Sequence, residues 1–330
     1  MKYRFLLFCT LFSLSLAAQS PLPIDTYDYG VPENNVSAIA IGMGGINLTN
    51  PDDPFASYGN PALLAHNEDT MIYLSYRLAD NENLSFWEAA SVSNFLSEKQ
   101  FKYFTLVSKQ AAFSYQPMAS INLSSFDTQT NKTLYYDYKL DKIQMSLAMK
   151  DKNWPALTAG LNLKYITGRL VYLVEHREGS QFVREHFIDD KIKGASSDIG
   201  LTLRTGDVYY GLTLYDVLSR LWWENYDAVS IQRRIGTAVQ YGSGASKTFF
   251  GIQSKIAKSP ETTYHLGYSY AQNWDSKDFI SDDNLQQGMD LRIGFYSHDF
   301  YGADNINLTL GAGYHYQMFR FDFSLNTKGL

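Results

Sequence analysis

From about residue 70 onward the chain repeats with a period of two and not of 3.6, which restricts it to strands paired in sheets. In 288–297, Met289, Leu291, Ile293 and Phe295 share one face, and Asp290, Arg292, Gly294 and Tyr296 the other. In 306–317, Ile306, Leu308, Leu310, Ala312, Tyr314 and Tyr316 oppose Asn307, Thr309, Gly311, Gly313 and His315. In 319–326, Phe319, Phe321, Phe323 and Leu325 oppose Arg320, Asp322, Ser324 and Asn326. Ile199, Leu201 and Leu203 likewise stand against Asp198, Gly200, Thr202 and Arg204, and Tyr264, Leu266, Tyr268 and Tyr270 against Thr263, His265, Gly267 and Ser269. The second face separates the two architectures that such a pattern permits. A soluble β-sandwich turns Lys, Glu and Thr to water and spares glycine. Here Gly160, Gly200, Gly211, Gly236, Gly267, Gly294, Gly311 and Gly313 occupy that face, at roughly 0.5–1 kcal/mol each in strand stability. Something must therefore approach it closely.

A transmembrane antiparallel β-barrel accounts for both faces. Bulky side chains meet lipid, while small, polar and paired charged residues point into a crowded lumen, among them Arg204, His265, Asp290, Arg292, His315, Arg320 and Asp322. The same division explains why a chain that is 45% hydrophobic and 15% aromatic has a mean hydropathy of only -0.26. Tyr268, Tyr270, Tyr314 and Tyr316 fit an aromatic girdle at the lipid boundary. Nucleic acid is excluded as a partner, because 28 Lys+Arg against 34 Asp+Glu supply no basic surface.

Strands are expected near 70–78, 101–108, 111–117, 134–140, 142–150, 156–166, 196–204, 207–215, 232–241, 247–256, 262–271, 288–297, 306–317 and 319–327, about fourteen, the even number typical of single-chain bacterial barrels. Segment 84–92 reads as a strand or a short helix. This count has an internal conflict. With both barrel ends facing the periplasm, where turns are short, the tight Thr205-Gly206 turn falls outside and the long 216–231 connection inside, so a strand is merged or missed, in 167–195 or 216–231.

The N-terminus indicates export. Lys2 and Arg4 precede an apolar stretch from Phe5 to Leu16 that ends in Ala17, Ala18 and Ser20, the layout of a signal peptide over 1–18. The stretch is too short to cross a hydrocarbon core of about 30 Å as a helix. The only cysteine, Cys9, lies inside it, so the mature chain is expected to hold no disulfide and no cysteine metal site. Cleavage leaves 26 basic against 34 acidic residues, a net charge of -8.

Between a flexible segment at 19–36 and a barrel at 70–330 lies a stretch that does not alternate. Residues 37–65 read SAIAIGMGGINLTNPDDPFASYGNPALLA, dense in Gly, Asn and Pro. The run Gly42-Met43-Gly44-Gly45, the pair Asp52-Asp53 and the motif Asn60-Pro61-Ala62 followed by Leu63 and Leu64 resemble the FadL group of outer-membrane barrels, and more closely its PorV and PorQ relatives of the type IX secretion system. Segments 198–203 and 208–214 and Arg234-Ile235-Gly236 are similar to the group's central strands. The resemblance implies a barrel of about fourteen strands whose residues 37–69 fold back into the lumen as a plug, or hatch. Physical reasoning agrees, since irregular backbone at membrane depth is tolerated only where protein or water satisfies it.

Other chemistries have little support. Gly42-x-Gly44 lacks the third glycine of a dinucleotide loop, because position 47 is Asn. No D-x-H or G-x-S-x-G spacing accompanies His66, His176, His186, His265, His298 and His315, so an outer-membrane hydrolase is the weakest reading. Asp189-Asp190 and Asp282-Asp283 lack calcium-loop periodicity and read as solvated loop charge. Trp222-Trp223 reads as an interfacial anchor or, less favoured, an exposed recognition patch. The expectation is a non-enzymatic protein of the bacterial outer membrane, without cofactor. Likeness to PorV and PorQ implies a partner among secreted proteins or secretion components; likeness to FadL implies passive transport of a hydrophobic small molecule.

Overall fold

The computed structural model describes residues 32, 35–77, 101–128, 131–179, 181–243, 245–258, 260–277, 284–298 and 306–326. The expected signal peptide, nearly all of 19–36, segment 84–92 and Asp282-Asp283 lie outside them. Thirteen strands occur among the described residues: β1 Met71–Tyr76, β2 Phe101–Ser108, β3 Ala111–Asp127, β4 Lys132–Lys150, β5 Leu157–Glu178, β6 Gln181–Thr205, β7 Val208–Trp223, β8 Arg234–Ser243, β9 Ser246–Lys255, β10 Thr262–Lys277, β11 Asn284–Ser297, β12 Ile306–Tyr316 and β13 Phe319–Asn326. Each pairs antiparallel with the next in one sheet, in chain order, in keeping with an all-β barrel of about fourteen strands.

The curvature follows from two contacts. Laid flat, thirteen strands at about 4.8 Å spacing span roughly 58 Å. Yet Phe55 packs on Tyr73 of β1, ring centroids 6.1 Å apart, while Arg320 of β13 donates to Asp52 O at 3.4 Å. Residues 52 and 55 are at most about 11 Å apart along the chain, so the first and last strands reach the same place and the sheet curls around it.

The two faces divide as the parity requires. Leu163, Ile293 and Leu310 are 44–47% exposed on the outside, whereas their neighbours Asn162, Asp198, Thr202 and Thr309 are at most 2% exposed on the inside. Fully burying such apolar side chains is worth about 1.5–3 kcal/mol each, which water would forfeit around the whole outer wall and lipid restores. β4, β5 and β6, at 19, 22 and 25 residues, exceed the roughly 9–11 that a tilted crossing needs and rise well beyond the bilayer.

Two expectations are corrected. Segments 134–140 and 142–150 form one strand, β4. Asp141-Lys142 mimics a turn, but the strand runs through it: Lys142 is buried on the inside with its Nζ 5.1 Å from the Tyr58 ring centroid, and Asp141 on the other face accepts a hydrogen bond from Tyr115 Oη at 2.8 Å. Joining them resolves the turn conflict. The two-residue turns 109–110, 206–207 and 317–318 now fall at one end of the barrel and the 224–233 connection at the other. Gly206, at φ 61°, supplies the left-handed residue that its turn requires. Secondly, 167–195 is strand, shared by β5 and β6, and β7 runs on to Trp223. Alternation was hidden there because apolar side chains stand on both faces: Leu170 and Val174 inside, Val171 and Leu173 opposite them.

Candidate functional site: the inner segment and the layered lumen

Residues 35–67 lie against the inner face of the sheet. Ser37 caps the short helix α1, Ala38–Gly42, its Oγ accepting from Ala40 N at 3.1 Å. The same hydroxyl donates to Asp53 Oδ2 at 2.7 Å, which also accepts from Asn47 Nδ2 at 3.0 Å, while Asp53 Oδ1 accepts from Phe55 N at 2.9 Å. Asp53 thus joins three parts of the segment. Burial pushes its carboxyl above the usual range, opposed by the hydrogen bonds from Ser37, Phe55 and Asn47. Its neighbour Asp52 points outward and pairs with Lys247 of β9.

Asn60 has a comparable role at the other end. After helix α2, Ala56–Gly59, its Oδ1 caps the 3-10 turn Pro61–His66 by accepting from Ala62 N at 3.0 Å. Its Nδ2 donates to Leu48 O at 2.9 Å and to Leu201 O of β6 at 3.1 Å. The inner glycines are the wall's half of this fit. A Cβ on Gly200 would overlap Asn60 Oδ1, one on Gly160 the Pro61-Ala62 backbone, one on Gly211 Leu48 O, and one on Gly294 Gly44 N. Gly42 packs on Gly311, and a Cβ on Gly44 would meet the carbonyls of Leu266 and Phe295. Gly44 and Gly45 have φ near +96°, a region that favours glycine.

The polar residues expected in the lumen divide. His265 is 1% exposed, with Nδ1 2.5 Å from Gly44 O and Nε2 2.7 Å from Thr263 Oγ1. Arg292 and Arg320 interleave with Asp290 and Asp322: Arg292 pairs with Asp290 and, at 2.6 Å, with Asp322, and Arg320 reaches Asp322 at 2.7 Å and Asp290 at 3.3 Å. The two expected pairs are one network. His315 is half-buried beside Gly288. Arg204 departs from the expectation. It is exposed at the end of β6, donating to Gly206 O at 3.2 Å with its guanidinium 5.0 Å from the Tyr209 ring centroid, because the turn ends the wall before the side chain has a lumen to enter.

Sequence reasoning missed a second charged group. Lys164 of β5 bridges Asp198 of β6 at 2.6 Å and Asp216 of β7 at 3.0 Å, all three buried. Asn162 and Ser196 donate to the two carboxylates at 3.0 and 2.6 Å. Inner-face parity marks Lys164 and Asp198, but their meeting requires the cross-strand register. Further along the same strands the inner face becomes apolar: Tyr138, Leu140, Ile166, Leu170, Ile192, Leu221 and Trp223 form one buried cluster with Val229 and Ile231. The inner positions thus run in layers, seen along β5 as Gly160, Asn162, Lys164, Ile166 and then Leu170.

This layering corrects two readings. Trp222-Trp223 is a strand dipeptide whose members face opposite ways, Trp222 exposed and Trp223 in the apolar cluster. Asp189 and Asp190 lie in β6 and not in a loop: Asp189 takes a two-pronged hydrogen bond from Arg169, both arms 2.7 Å. Asp190 is fully buried and accepts from the backbone of Glu224 and Asn225, anchoring the 224–233 connection.

No family model and no curated protein matches the chain. Among solved structures it is similar to the toluene transporter TbuX of Ralstonia pickettii, at 10% identity and a TM-score of 0.47, over 88% of this chain and 96% of that one.

Proposed function

We propose that the protein is a non-enzymatic barrel of the bacterial outer membrane that admits small apolar molecules, with residues 37–69 as the plug of its lumen. The apolar inner cluster where β4 to β7 rise beyond the bilayer carries this reading. A barrel rim open to water needs polar lining, whereas here Leu170, Ile192 and Leu221 are buried in an apolar layer, which an apolar solute enters at less cost than an ion does. Below them the charged layer and the close fit of Asn60 and Pro61 on Gly200 and Gly160 obstruct the way, so passage requires the plug to move. Purified protein in liposomes should accelerate entry of a radiolabelled medium-chain alkane or monoaromatic hydrocarbon. Leu170→Thr with Ile192→Thr should reduce the gain while heat-modifiable migration, the mark of a folded barrel, persists. Entry no faster than into protein-free liposomes would refute transport.

A second reading has its own support. The likeness of Gly42–Gly45, Asp52-Asp53 and Asn60–Ala62 to PorV and PorQ, together with the tightly fitted lumen around Asn60, suits an attachment protein of a secretion apparatus that need not conduct. Crosslinking in native cells followed by identification of secreted partners tests it.

A further inference from the structure

The outward face of β6 changes from apolar to basic at a definite height. Leu203, Leu201 and Ile199 are 37–38% exposed on it; Ser197 and Ala195 follow, and then Lys193 and Lys191, both exposed. The ten residues from Leu203 to Lys193, at about 3.3 Å each and a tilt of about 40°, carry the strand about 25 Å along the barrel axis, the height of the apolar band of such a barrel. Lys193 therefore stands at the level of the lipid headgroups, in the leaflet at the projecting end.

Two residues of β7 share that level. Lys193 is in register with Trp222, and Ala195 with Arg220, so Arg220 is the diagonal neighbour of Lys193, their Cβ atoms about 7–8 Å apart. Arg220 is exposed and Trp222 is 50% exposed, an aromatic ring at the lipid boundary. Two cations this close repel, and the carboxylates around them are engaged elsewhere. Asp189 is held by both arms of Arg169, and Asp190 faces inward to the 224–233 connection. Asp141, at the far end of the rung through Thr167, accepts from Tyr115. Glu224 lies further from the bilayer, beside Lys191, to whose carbonyl its N donates at 3.1 Å. The anions that a bilayer supplies at the height of Lys193 and Arg220 are headgroup phosphates.

We propose that Lys193 and Arg220, both adjacent to Trp222, bind the phosphate of one anionic lipid in that leaflet. The guanidinium offers paired donors and the ammonium a point charge to the phosphate oxygens, while the Trp222 ring lies against the top of the acyl chains. The site uses the outer wall alone and is independent of what passes through the lumen.

The test uses the full protein folded in dodecyl maltoside, mixed with dioleoyl phosphatidic acid or dioleoyl phosphatidylcholine, with retained lipid counted by native mass spectrometry. The wild type should keep phosphatidic acid at concentrations where phosphatidylcholine is lost. Lys193→Gln or Arg220→Gln should weaken phosphatidic acid binding about fivefold, and the two together about thirtyfold. Lys152→Gln, in the connection at the opposite end of the barrel, should leave it unchanged. Inorganic phosphate in excess should not displace the lipid, whose chains supply the rest of the binding. Equal retention of the two lipids by the wild type, undiminished binding in both single variants, or an equal loss in Lys152→Gln would overturn the site, and displacement by inorganic phosphate would overturn its assignment to a lipid. Heat-modifiable migration identifies the folded variants, and should the double variant not fold, the two single ones decide.

Discussion

A hydrogen atom where other residues carry a methyl group lets Gly200 face Asn60, and the pair divides its work between chain segments 140 residues apart. Gly200→Ala should loosen the segment by about 1–3 kcal/mol, since the added carbon meets a side-chain amide already committed to three hydrogen bonds. Asn60→Ala, which removes those bonds and a cap, should act similarly, at about 1–3 kcal/mol. In both variants hydrogen exchange within 37–69 should quicken while heat-modifiable migration remains. The glycines were readable from strand parity alone; the partner of each was not, because parity says which face is crowded and not by what. Asp53 adds a pH dependence. Its carboxyl is held above its unfolded value by burial, so the folded state favours the protonated form. That stability is fully present below the unfolded pKa and is lost as pH rises through the raised one. Protection of 37–69 from protease should therefore decline from acidic toward alkaline pH, and Asp53→Asn should not show the decline.

Along β4 to β7 the inner face changes character every few residues, and this change decided what could be inferred in advance. Where the faces contrast, as in β11 to β13, alternation located each strand within a few residues. Where both are apolar, as at 170–174, the period vanished, and where a charge pair crosses mid-strand, as at Asp141-Lys142, it imitated a break. The buried bridge of Lys164 to Asp198 and Asp216 holds three adjacent strands at one level. Lys164→Met removes the cation that bridges two buried carboxylates and should destabilise by about 3–5 kcal/mol. Adding Asp198→Asn and Asp216→Asn should recover much of it. The temperature at which gel migration shifts measures both.

The outward stripe continues around the barrel, and its chemistry sets the solvent the molecule requires. Leu163→Arg, mid-wall and 44% exposed, should lower stability in a bilayer by about 2–4 kcal/mol, whereas Arg at Leu134, nearer the projecting rim, should cost less; denaturant titration in liposomes separates them. Closure has a further consequence. The first and last of the described strands both reach the short stretch from Asp52 to Phe55, a stretch that precedes every described strand. The protein therefore carries its own mandrel, made before the sheet that is wound on it, and the circumference of the finished cylinder is gauged by that mandrel as well as by hydrogen bonding between strands.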